Sequence, residues 1–271
     1  YTNIPVSVDV LYDADMQSDF DDLRFTDASG TTSLDYWIES TVASASSTVW
    51  IEVPSLPASG SSIVYVYYGN GSASSASTGT TTFAFFDDFE DDNITEYSGN
   101  TALFDTSTAF NYLNTYGLDA GVEVGNKTTT GLYRTGSLVA QGQTLRFYQY
   151  VDTASVDPSE PCTLFAVQGA GDNYAGCLDE DPTERVSISE DVTSDDDSGT
   201  VLNSTAVTYT TGWYEVEIDW LVDDSINVTV YDESGAVFAT VSTTDSSLSS
   251  GVIAVVNVIF RPVSARGVAS P

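Results

Sequence analysis

Apolar and polar residues alternate with a period of two through most of this chain. That pattern restricts it to strands that bury one face. Leu34, Tyr36 and Ile38 alternate with Asp35, Trp37 and Glu39, and Val49, Ile51 and Val53 alternate with Trp50 and Glu52. Further on, Leu145 and Phe147 alternate with Arg146 and Tyr148, and Val216, Ile218 and Trp220 with Glu215, Glu217 and Asp219. Val228 and Val230 alternate with Asn227 and Thr229, which turns Asn227 outward. Ile63 to Tyr68 is apolar on both faces and reads as a central strand, and Val252 to Phe260 is a last long apolar run. No stretch holds helical spacing over a helical length. Short strands separated by Gly, Ser and Asp turns predict an all-β protein of sandwiches or barrels.

Two β-sandwich domains are expected. The segment 70–82, NGSASSASTGTTT, is small and polar like a flexible connector. It sets a first domain at 1–72, a linker at 73–82 and a second domain at 83–271. A second acidic stretch, Ser189 to Gly199, is expected as a loop inside the second domain. With 41% apolar residues and 16 Tyr, 12 Phe and 4 Trp, the chain can fill such cores with residues suited to pleated surfaces.

Charge narrows the setting. Forty acidic residues face seven basic ones, a net of −33, with no histidine and Lys127 as the sole lysine. Self-repulsion of that size destabilises a compact chain in dilute salt. In brine the screening length falls to about 3 Å and the repulsion largely vanishes. A halophile's protein is the expectation, and an acidic mesophilic surface protein the alternative. The same charge argues against nucleic acid and against anionic membrane surfaces, both of which need basic residues. Without histidine there is no Ser-His-Asp triad and no histidine metal site, and no Gly-rich phosphate loop is present.

Cys162 and Cys177 read as one disulfide stapling a hairpin, closing a loop of about 15 residues. Five N-x-Ser/Thr tripeptides, at Asn70, Asn93, Asn126, Asn203 and Asn227, lean toward a surface glycoprotein. The chain opens at Tyr1 and carries no signal peptide or long apolar span, so it reads as a mature or excerpted segment whose anchor lies elsewhere.

The segment MQSDFDDLRFTDASGTTSLDYWIES from Met16, followed by VWIEVPSLPASGSSIVYVYYGN ending at Asn70, resembles the DUF2341 family, a small β domain of archaeal and bacterial surface proteins. The run Phe85–Asp91, FFDDFED, and the later GWYEVEIDW and VTVYDESG resemble a following concanavalin or laminin-G-like jelly roll. The resemblance implies an extra strand ahead of Thr2 to Val10 that this chain lacks. A second subunit supplying it by strand exchange is one expectation.

Candidate sites follow from these patterns. Asp87, Asp88, Glu90 and Asp91, with Asp92 adjoining, are dense enough in carboxylates for a structural calcium ion, and the resemblance to jelly rolls implies one near this edge. A solvated acidic turn is the other reading. Asp195, Asp196 and Asp197 form a weaker cluster. Glu215, Glu217 and Asp219 share one strand face as in some glycoside hydrolases, although E-V-E-I-D departs from that order and solvent-facing acids explain it as well. Tyr112, Tyr116, Tyr148 and Tyr174, with Trp37 and Trp50, are candidates for stacking on sugars; Trp213 and Trp220 are expected in the core. The resulting expectation is a non-catalytic extracellular module of a halophilic archaeal filament, surface layer or virion appendage. The alternative is a glycan-binding adhesin or viral receptor-binding protein.

Overall fold

The computed structural model describes residues 2–57, 59–99, 101–119, 132–153, 161–169, 171–180, 183–193, 199–256 and 260–267. Among them are twenty strands, one four-residue helical turn and one 3-10 turn, so the chain is all-β. No helix among the described residues is long and apolar enough to cross a membrane. The chain divides into two compact units, Tyr1–Phe86 with Arg266–Pro271, and Asp87–Ala265.

The first unit contains strands β1 (Thr2–Leu11), β2 (Arg24–Thr26), β3 (Ser33–Leu34), β4 (Tyr36–Val42), β5 (Ser46–Ser55) and β6 (Tyr65–Tyr67). They form two antiparallel three-stranded sheets, ordered β1-β5-β4 and β3-β2-β6. Both faces of the β4–β5 ladder are buried. Tyr36, Val49 and Ile51 join Met16, Phe20, Leu23, Phe25 and Leu34 in one cluster. On the other face Trp37 lies opposite Trp50 in the ladder, and Phe83 packs against both rings. Glu39 is buried there too and accepts a 3.0 Å hydrogen bond from Trp50 Nε1. Burying one charged group beside an indole donor lets the strand hide a face that its alternating pattern marks as polar.

The acidic and aromatic signatures of this unit hold its loops. Asp22 is buried, accepting from the amides of Gln17 (3.0 Å) and Gly69 (2.6 Å). Gly69 follows β6 with φ +97°, a conformation that favours glycine. Arg24 donates to the carbonyls of Asp21, Leu23 and Ser74, and Tyr36 Oη donates to the Leu23 carbonyl. The stretch 70–82, expected as a flexible connector, is tied down at several points. Gln17 Nε2 donates to the carbonyls of Asn70 and Ala73, Ile38 N to Ser77 Oγ, and Thr78 N to the Tyr36 carbonyl. The helical turn α1 (Gly79–Thr82) closes it. Composition marks this stretch as lacking a core of its own, but backbone hydrogen bonds to a neighbouring sheet need no apolar side chains.

The expected central strand at Ile63–Tyr68 is a correction. Only Tyr65–Tyr67 form β6, which ends its sheet, and all three residues are exposed. Apolar residues on both faces are necessary for a central strand but not sufficient, because a second neighbour must also arrive to pair.

The second unit contains β7 (Tyr97–Gly99), β8 (Asp105–Ser107), β9 (Gly117–Asp119), β10 (Leu132–Ala140), β11 (Gln143–Val151), β12 (Cys162–Gly169), β13 (Asp172–Asp179), β14 (Arg185–Glu190), β15 (Thr200–Ala206), β16 (Gly212–Trp220), β17 (Ser225–Tyr231), β18 (Val237–Thr244), β19 (Ser250–Val256) and β20 (Phe260–Gly267). Two seven-stranded sheets run β15-β14-β13-β12-β19-β10-β7 and β18-β17-β16-β11-β20-β9-β8. They face one another as a sandwich. Trp220 of one sheet meets Phe165 and Tyr174 of the other, with ring centroids 5.5 and 5.9 Å apart. Gly176 lets them approach, since a Cβ there would lie 2.9 Å from Ile218 Cδ1. Inward residues of β16 and β17, namely Tyr214, Val216, Ile218, Trp220, Ile226, Val228 and Val230, are buried, as their alternation requires.

Cys162 and Cys177 are paired directly across the β12–β13 hairpin, 4.2 Å apart at Cα and fully buried. Beside them Asp179 is buried, accepting from Arg185 Nε and Ser187 Oγ at 2.8 Å each.

Candidate functional site: the outer face of one sheet

The outward residues of β11 are Thr144, Arg146, Tyr148 and Tyr150, and those of β16 are Trp213, Glu215, Glu217 and Asp219. Their antiparallel register lines them up in rows: Tyr150 opposite Trp213, Tyr148 opposite Glu215, Arg146 opposite Glu217 and Thr144 opposite Asp219. Strand β17 continues the rows with Tyr231 beside Glu215, Thr229 beside Glu217 and Asn227 beside Asp219. One end of this face is therefore aromatic and the rest polar, an order that follows from the period of two once the register is set.

Rings from the segment before β9 complete the aromatic end. Tyr112 stacks on Tyr148 at 4.1 Å with planes 26° apart, and also meets Trp213 at 5.6 Å. Phe110 lies 5.6 Å from Tyr150, and Tyr150 meets Trp213 edge-on at 5.4 Å. Tyr148 is buried by its neighbours, whereas Phe110, Tyr112, Tyr150 and Trp213 stay half-buried. Charged and polar groups are fixed against the rings. Arg146 Nε pairs with Glu215 Oε1, its Nη2 donates to Glu215 Oε2 at 3.0 Å and to Tyr148 Oη at 2.9 Å, and its guanidinium lies 5.5 Å from the Tyr148 ring centroid. Thr144 Oγ1 donates to Asp219 Oδ1 at 2.5 Å. Two-point pairing between a planar guanidinium and a carboxylate holds both in place.

The acidic run 87–92 supports this loop and the strand ends around it. Glu90 Oε1 accepts from the amides of Thr115 and Tyr116 at 2.9 Å each, anchoring the segment that carries Tyr112. Asn111 Nδ2 closes the same loop on the carbonyls of Thr108 and Thr115. Asp88, Asp91 and Asp92 accept from Glu90 N, Asn93 N and Thr106 Oγ1 respectively. Asp87 accepts from Phe89 N at 2.9 Å and from Arg134 Nη1 at 2.6 Å. Burial pushes the Asp87 carboxyl up to about 6, against the Phe89 amide and the Arg134 guanidinium, which favour the ionised form. The carboxylates of this run thus serve separate partners. Among the described residues, no three of them bring oxygens within 4.8 Å of one another.

The remaining candidates disperse. Tyr174 belongs to the core rather than to a sugar-stacking surface: it is fully buried, and its hydroxyl donates to Asp245 Oδ1 at 2.5 Å. Trp37 and Trp50 are likewise buried, in the first unit. Tyr116 is half-buried and touches the site through its backbone amide. Trp220 is in the core as expected, but Trp213 stands on the outer face, because the strand's phase places it with Glu215 rather than with Tyr214. Asn70 and Asn203 are exposed, Asn93 and Asn227 half-buried; Asn126 and Asp195–Asp197 lie outside the described residues. Sequence reasoning missed Phe110, Tyr150, Arg146 and the anchoring role of Glu90. Arg146 and Tyr150, two residues to either side of Tyr148, were legible on its face from the period of two; Phe110 and Glu90 meet the site only through tertiary contacts.

Fold and face together define an all-β chain whose second unit is a two-sheet sandwich presenting an aromatic and acidic sheet face. The family model described as "Domain of unknown function (DUF2341)" matches residues 19–101. No curated protein matches the chain in sequence. Similar solved structures include a carbohydrate-binding module, CBM66, from Bacillus subtilis, with 9% identity over 65% of this chain and 98% of that one, TM-score 0.44. A GH43 protein, BlXynB, from Bacillus licheniformis has 9% identity over 82% of this chain and 47% of that one, TM-score 0.46. Lectin II from Ulex europaeus has 10% identity over 68% and 97%, TM-score 0.42.

Proposed function

We propose that this chain is a non-catalytic, extracellular glycan-binding module of a surface protein working in high salt, and that it holds sugar on the outer face built from β11, β16 and the 108–116 segment. The observation that carries the reading is the half-buried ring set of Tyr112, Tyr150 and Trp213 beside the Arg146–Glu215 pair. Pyranose rings present C–H faces that pack on aromatic rings and hydroxyls that bond to charged groups held in fixed positions. Glu215 and Asp219 are committed to Arg146 and Thr144, an arrangement suited to orienting hydroxyls rather than to an acid–nucleophile pair. The buried disulfide fits an oxidising compartment, and the charge of −33 fits brine.

The test is a glycan array in molar NaCl followed by titration calorimetry on the best binder. Trp213→Ala and Tyr112→Ala should each weaken binding by about tenfold or more, in line with about 1.4 kcal/mol or more per lost ring. Binding that survives both variants, or no binding to any glycan in high salt, removes the reading.

A further inference from the structure

Eight large apolar side chains of the first unit are exposed among the described residues; Val8, Leu11 and Val42 lie on β1 and β4, and the other five fall in one run of sequence. Ile63, Tyr65, Val66, Tyr67 and Tyr68 are between 42% and 56% exposed. They lie in and around β6, which pairs with β2 on one side and ends its sheet on the other. The segment Ile63–Tyr68 carries neither proline nor charge, two of the devices that blunt an exposed edge.

Charge says what covers it. From Val53 to Phe86 no residue is charged, in a chain that otherwise carries −33. The nearest cation, Arg24, is turned onto the carbonyls of Asp21, Leu23 and Ser74. A basic partner is drawn to the acids elsewhere and gains nothing here. A second copy of this chain is repelled wherever carboxylates meet carboxylates, and that repulsion is weakest along the uncharged 53–86 stretch, where Asp27 at the end of the adjoining β2 is the neighbouring carboxylate.

We propose that β6 pairs antiparallel with β6 of a second copy across a two-fold axis at Val66, making a homodimer. The strand is self-complementary in that register: Val66 meets itself, Tyr65 faces Tyr67, and Val64 faces Tyr68 across the axis. Aromatic cross-strand pairs of this kind stabilise antiparallel ladders, and an isologous contact closes on itself. A cavity of about 390 Å³ opens beside the strand, lined by Leu34, Val53, Pro54, Ile63 and Val64 and also by the carboxylate Asp27; its apolar side gives the tyrosine opposite Val64 a surface to pack on. The proposal concerns the first unit and does not depend on the glycan reading.

Sedimentation equilibrium of the full chain in molar NaCl tests it. The expected mass is twice the 28.9 kDa of one chain at about 100 µM. Tyr67→Glu places a carboxylate near the axis in each copy and should raise the dissociation constant more than about tenfold, with circular dichroism and the urea midpoint of the dilute monomer unchanged. The chain has no free cysteine, so Val66→Cys should oxidise to a covalent dimer much faster than Val237→Cys, whose parent residue is 62% exposed in the second unit. A wild-type chain that stays monomeric assigns the edge to another occupant and overturns the proposal. So does a folded Tyr67→Glu variant that dimerises as tightly as wild type, or a Val66→Cys variant that crosslinks no faster than Val237→Cys.

Discussion

Loss of the Cys162–Cys177 bridge can be resolved into two parts, because the bond and the atoms are removable separately. Reducing the wild-type protein breaks the crosslink and leaves both sulfurs in place. The loop it opens has a sequence separation of 15, for which chain entropy in the unfolded state gives about 3 kcal/mol. The Cys162→Ala, Cys177→Ala double variant also deletes two fully buried sulfur atoms packed among Leu164, Val167, Ala175 and Ala254. Each truncation adds about 1 kcal/mol of lost packing, so the double variant should be destabilised by about 5 kcal/mol. The assay is urea unfolding at constant molar NaCl, since guanidinium would itself change the ionic strength. Reduction should also raise the urea dependence, because an unfolded chain without the crosslink exposes more surface. A reduction effect below about 1 kcal/mol, with the urea dependence unchanged, would show that the bridge does not constrain the unfolded chain and would refute the reasoning.

Three further outcomes are expected. Asp87 has a folded value of about 6, above its ordinary 3.8, so protonation favours the fold; its stabilising contribution is present below about pH 4 and is lost as pH rises through about 6, by up to about 3 kcal/mol. Asp87→Asn should remove that slope from the urea midpoint measured between pH 4 and 7, and an unaltered slope counts against the buried carboxyl. Gly251 sits beside the β12 bulge where Ala166 adopts φ +56°, and a Cβ there would collide with the Ala166 carbonyl group; Gly251→Ala should destabilise the fold by about 2–4 kcal/mol in urea, and a change under about 0.5 kcal/mol would show that the strands are not so close. Finally, with −33 net charge, the urea midpoint should climb steeply between about 0.1 and 1 M NaCl as the screening length falls from about 10 to 3 Å, and a flat response would contradict a folded state limited by self-repulsion.

Period-two alternation was enough to read β17 and the 214–220 part of β16 down to which residues face inward, because burial on one side of a pleat acts on each strand separately; extending the same phase back to Trp213 places it outward, against its expected place in the core. The Cys162–Cys177 pair was legible for a similar reason: a hairpin brings residues near in sequence directly opposite one another. The pattern failed where a second contact arrived from afar. Glu39 and Trp37 hide on a face that alternation marks as exposed, because Trp50 and Phe83 cover it. Ile63–Tyr68 stays at an edge because no second strand among the described residues pairs with it.

The candidate site divides along the same line. Tyr148 was visible as one residue of an amphipathic strand, but its role depends on Tyr112 stacking from a loop and on Arg146 bridging to Glu215 across the ladder. The acidic run 87–92 read as one cluster, yet its carboxylates turn to different amides and side chains, with Glu90 reaching Thr115 and Tyr116. Composition, charge and strand phase are sums over local preferences, so the sequence by itself determined an acid-coated, all-β chain with a stapled hairpin. Which rings meet, which carboxylates diverge and which strand is left without a neighbour are set by register and sheet order, and those exist only once distant segments have packed.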